Sequence, residues 1–145
     1  MENCKIVFEK IQALLSSASE ETHKYCLTFK KEDFFTFSDA KKRNSLYKKE
    51  YLNFICKINE LSVPLGDRVA EISSLLLEAD REANDEKISV LNAVFQKYLI
   101  FEKELYIFTD TTEKELEKGA ASVSVMSESA NRLLVSIKVF YECLA

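Results

Sequence analysis

A chain of 145 residues fits one folding unit and can bury a core without disulfide or metal staples. Hydrophobic residues make up 47% of it, a globular composition, yet it holds only 2 glycines and 1 proline. Sheet and α/β architectures need turn residues far more often, so long helices are expected; a formal net charge of −4 disfavours nucleic-acid binding as a main role.

Charge is unevenly spread. Residues 1–60 carry 11 Lys/Arg against 9 Asp/Glu, and residues 61–145 carry 9 against 15. The densest basic cluster, Lys41, Lys42, Arg43, Lys48 and Lys49, reads as a solvated helix face in preference to an anion site. The start of the chain lacks the basic stretch and apolar run of a signal peptide, and no apolar stretch reaches the roughly 20 residues of a membrane span. Cys4, Cys26, Cys56 and Cys143 are scattered singly, which suits reduced thiols in a cytoplasmic protein.

The first helix announces itself by periodicity. Phe8, Ile11, Leu15, Ala18, Thr22, Tyr25 and Phe29 alternate spacings of three and four, a heptad seam along roughly 40 Å of helix. Lys30 to Asp33 interrupt it. A second seam follows through Phe37, Ala40, Asn44, Tyr47, Tyr51, Phe54, Ile58 and Leu61, with Asp33 or Ser38 as candidate caps.

Ser62 to Asp67 contain the proline and one of the two glycines, and form the clearest expected break, with Asp67 as the cap of the next helix. A long third helix is then expected from about Asp67 to Phe108. Val69, Ile72, Leu76, Ala79 and Ala83 line one stripe of it; Leu91, Val94, Tyr98, Phe101, Leu105 and Phe108 line another. The polar stretch Arg81–Lys87 and the phase shift across it point to a bend or register change. Thr109 to Thr112 end the helix, and Thr112 with Glu115 has the spacing of a capping box. The last helix carries Val123, Met126, Ala130, Leu133, Ile137, Phe140 and Leu144 in heptad spacing. Gly119 and several serines weaken its first half, which has the composition of a mobile segment.

These elements define an all-α protein, an elongated antiparallel bundle of three to four long helices with coiled-coil-like packing and one helix protruding. Its single domain divides into a helical hairpin over 1–62, a long third helix over 66–108 and a C-terminal helix over 112–145.

Catalytic and metal chemistries find little support. Glu20-x-x-His23 is half of a carboxylate di-metal motif, but His23 is the only histidine, so a solvated pair is expected and no metal or other cofactor. No glycine-containing elbow surrounds a serine, and Gly66 and Gly119 are isolated. The acidic clusters Glu20/Glu21, Asp85/Glu86 and Glu113/Glu115/Glu117 lie in charge-rich stretches expected to be exposed, where a carboxylate does not acquire a catalytic pKa. The chain is not expected to be an enzyme. Only the second helix has the basic polar face that membrane-surface binding requires.

From His23 to Leu61 the order is an apolar pair (Cys26-Leu27), a short polar link, Asp33-Phe34, then a helix bearing Phe37, Lys41, Leu46, Ile55 and Ile58. This stretch resembles the FlgN family of flagellar export chaperones. Arg81 to Leu105, with Asn84 and Asn92 inside an amphipathic helix, is similar to that family's third helix, and FliT-type chaperones match nearly as well. The resemblance implies a cytoplasmic type III export chaperone that binds the amphipathic C-terminal helix of hook-associated subunits and prevents their premature assembly. The expected partner-binding residues are Leu91, Val94, Tyr98, Phe101, Leu105 and Phe108, joined by Ile137 and Phe140. The same residues equally suit the core of a bundle. The alternative function is a self-associating structural bundle. A chaperone is expected to be a monomer or weak homodimer, and a structural protein a stable oligomer whose mass does not change on dilution.

Overall fold

The computed structural model describes residues 2–30 and 40–145, without the side chains of residues 2 and 40. Helix α1 (Glu2–Cys26) ends in a 3-10 turn (Leu27–Lys30), followed by α2 (Ala40–Arg81), α3 (Asp85–Leu116) and α4 (Val123–Cys143). No strand occurs among the described residues. The second-seam position Phe37 and the candidate caps Asp33 and Ser38 lie outside them.

Heptad spacing becomes core as expected in α1, where Ile11, Leu15, Ala18, Thr22 and Tyr25 are buried. In α2, Tyr47, Tyr51, Phe54 and Ile58 are buried. Tyr25 stacks on Phe54 with ring centroids 4.6 Å apart, and Lys57 Nζ lies 3.3 Å from Glu21. Residue numbers rise along α1 as they fall along α2, so the two helices are antiparallel.

The expected break at residues 62–67 is not there. Helix α2 is one element of 42 residues, about 63 Å long, with Pro64 inside it. The reason is phase. The seam carries on unshifted through Leu65, Val69, Ile72 and Ala79, all buried. An interior proline and glycine together cost about 4 kcal/mol. Burying Leu65, Val69 and Ile72 contributes about 2 kcal/mol each, which outweighs that. Gly66 serves close approach here: a Cβ at this position would stand 3.3 Å from the Tyr98 hydroxyl oxygen of α3. The Asp67 cap and the helix expected over 66–108 fall with the break.

The chain reverses instead at Glu82–Asn84, within the polar stretch. Asn84 N–H donates to Ala79 O and Ala83 N–H to Asp80 O, the paired bonds of a Schellman ending. Ala83 occupies its left-handed position with φ 53°. Asn84 then caps α3, its side-chain oxygen accepting from Lys87 N–H at 3.2 Å. Polarity all round this segment thus marks a turn.

Helix α3 runs past Thr109–Thr112 to Leu116. The expected capping box is absent because Thr112 lies inside the helix, fully buried, and Ser122 caps α4. Tyr51 Oη donates to Glu113 at 3.2 Å, and Tyr98 packs edge-on against Phe140 at 6.3 Å. Each successive helix is therefore antiparallel to the last, and α4 packs back against α1. The four described helices form a closed ring, and the longest of them is α2.

A candidate groove between α3 and α4

The stripe expected to bind a partner faces inward. Leu91, Val94, Phe101, Phe108, Ile137 and Phe140 are buried in the common core, and Tyr98 and Leu105 are half-buried against it. Phe108 shows why. Its ring meets Tyr25 at 5.7 Å, Tyr51 at 5.8 Å and Phe54 at 5.5 Å, so α1 and α2 both converge on it. The structure does bring the eight residues together, but as core shared with α1 and α2. They do not line an open groove.

An open apolar surface lies on the other side of the α3–α4 pair. Its floor is Ile100 of α3 with Val135 and Val139 of α4, which are 47%, 57% and 40% exposed. Lys97, Glu104, Asn131 and Arg132 line the same cleft, of about 720 Å³. Helical geometry builds it. Lys97, Ile100 and Glu104 recur at three and four along one flank of α3, and Glu128, Asn131, Val135 and Val139 do so along α4. Arg132 Nη2 lies 3.4 Å from Glu104 Oε1 and ties the walls together at mid-length.

One end of this pair is held by two side chains. Glu115 accepts the Ser122 amide at 2.9 Å and the Lys118 ammonium. Those two bonds, the ammonium first, hold its carboxyl below the usual carboxylate range. Glu115 is buried, contrary to the expectation that its acidic cluster is exposed; its neighbours Glu113 and Glu117 are exposed. Asn44 of α2 donates to Lys118 O at 2.8 Å and accepts from Ala121 N–H at 3.2 Å. These bonds fix the α3–α4 loop and hence the start of α4.

The remaining candidates occupy ordinary surface. His23 is exposed and lines a shallow recess with Lys138 and Tyr141, while Glu20 pairs with Lys24 at 3.6 Å. No cluster of three metal-ligating side chains occurs among the described residues. Lys41, Lys42, Lys48 and Lys49 are exposed on α2. Cys4 and Cys26 are buried, Cys143 is half-buried and Cys56 exposed, all as free thiols. No described helix is long and apolar enough to cross a membrane.

Sequence reasoning missed Ile100, Val135 and Val139. Their signal was present: Leu133, Leu134 and Val135 are consecutive, and Val139 lies four beyond Val135, so α4 is apolar over more of its circumference than one core seam requires. No family model matches this chain, and no curated protein or solved structure matches it at a significant level.

Proposed function

We propose that the chain binds an amphipathic helix of another protein in the α3–α4 groove and acts as a chaperone for it. The observation that carries this reading is the exposed apolar floor of Ile100, Val135 and Val139 between charged walls. A helix laid there extends the bundle and covers its own apolar face, the usual mode by which grooves receive helices. Following the resemblance to FlgN-type chaperones, the client is the C-terminal helix of a flagellar hook-associated subunit, held in the cytoplasm before type III export. The binding residues then differ from the stripe expected from sequence, since that stripe is core.

The alternative, a structural protein that self-associates through heptad seams, draws less support. The seams of α1 and α2 are already buried within one chain.

Affinity-tagged protein expressed in its own cells is the test. Recovery of a hook-associated subunit with the wild type, and its loss with Val135→Asp at unchanged helicity, is the expected result. Recovery of no such subunit overturns the flagellar reading. Equal recovery with the variant moves the site off this groove.

A further inference from the structure

The outward face of α4 carries a charge pattern that matches its own reversal. In order it reads Glu128, Arg132, Val135, Lys138, Val139 and Glu142, all exposed. When a second copy of α4 lies antiparallel to the first with the twofold axis midway between Val135 and Val139, Val135 meets the partner's Val139. Arg132, which also pairs with Glu104 of its own chain, then presents its exposed guanidinium to the partner's Glu142, twice by symmetry. Other registers that set valine against valine lack this match. An antiparallel pairing centred on Val135 sets Arg132 against Lys138 and Glu128 against Glu142. A parallel pairing sets each charge against its own copy. Like charges brought together across an interface are strongly disfavoured, so valine packing and charge together select one register.

We propose that a second copy of this chain occupies the groove in the free protein. The resulting dimer is isologous: α4 pairs antiparallel with α4, and Ile100 of each copy flanks the joint. The apolar area offered by three half-exposed side chains is small beside that of a stable dimer. Association is therefore weak and reversible, and the same face stays available to a client helix. The inference rests on the α3–α4 groove but not on the flagellar identity of any client.

Sedimentation equilibrium of the full chain over a concentration series, with two charge-reversal variants, tests it. Arg132→Glu makes the pairing positions of a copy wholly acidic, and Glu142→Arg makes them wholly basic. Each variant alone should dimerise at least about tenfold more weakly than wild type. An equimolar mixture should recover dimer, because both cross-pairs are then of opposite sign. Both positions are solvent-facing, and circular dichroism checks that each variant keeps its helicity. A wild type that stays monomeric up to about millimolar concentration overturns the proposal, as do variants that dimerise like the wild type or a mixture that gains nothing. Failure to co-purify a flagellar subunit leaves these outcomes untouched, so the two ideas fail separately.

Discussion

Asn44 and Lys118 stand 74 residues apart in sequence, and the side-chain amide of the first donates to the backbone carbonyl of the second at 2.8 Å. The same side chain accepts from Ala121 N–H, so one amide satisfies both polarities of a loop that would otherwise need water. Asn44→Ala removes both bonds and should lower stability by about 1–2 kcal/mol. Urea unfolding followed by circular dichroism measures it. An unchanged midpoint would mean that solvent replaces the clasp at no cost.

Ala83 offers the opposite sign. A left-handed backbone costs an L-residue about 1–2 kcal/mol, and glycine escapes most of it. Ala83→Gly should therefore raise stability by about 1 kcal/mol, since the Schellman bonds on either side already hold the turn. A lower urea midpoint would place the turn elsewhere.

The division between core and groove can be read from a matched pair. Phe108→Ala opens a cavity where three helices meet and should cost about 3–5 kcal/mol. Ile100→Ala, on the groove floor, should cost well under half of that, because its side chain is already half in water. Equal losses would contradict the inward placement of the Phe108 stripe.

Thr112 is fully buried, and its hydroxyl has no hydrogen-bond partner among the described residues. Thr112→Val keeps the shape and removes the unsatisfied group, which should stabilise the protein by about 1 kcal/mol. Thermal unfolding reports the change, and a loss would reveal a partner for the hydroxyl.

Alkaline pH should act through the tyrosines. Burial pushes Tyr51 up to about 12 from its ordinary 10.0, with the nearby Glu113 carboxylate adding to the shift. Tyr98 is pushed up to about 12, again chiefly by burial, with Glu102 beside it. The fold favours the neutral phenols, so their contribution is intact below about pH 10 and is lost as the pH climbs through about 12. The melting temperature should fall across that window. Tyr51→Phe should flatten the fall, and a parallel fall in that variant would assign the effect elsewhere.

Which parts of this molecule could be read from its sequence depended on the kind of signal. Unbroken heptads in α1 and the last helix specified both helix and buried face, because a seam of this period has one stable use in a bundle. Pro64 and Gly66 misled. Breaker chemistry acts locally, whereas the phase of Ile58, Leu65 and Val69 acts through tertiary burial, which stabilises by more than the breakers cost. The polar stretch Arg81–Lys87 pointed to a bend, but that it is a full reversal was hidden because alanine is seldom expected in a left-handed position. The stripe expected as a groove is buried in the bundle for a plainer reason. Leu91, Phe101 and Phe108 are what a partner site and a core both require, and only the placement of α1 and α2 over them decides between the two.

The closed ring also sets how the chain reaches its fold. Among the described helices, three of the four main interfaces, α1–α2, α2–α3 and α3–α4, join neighbours in chain order, and the three-residue reversal at Glu82–Asn84 makes α2–α3 the most local of them. Only α1 against α4 joins opposite ends of the chain. Contacts within single helices outnumber those between distant residues, so folding should be fast, on the microsecond-to-millisecond scale of helical bundles. The docking of α1 on α4 carries the largest loop-closure entropy and is the step expected to come last.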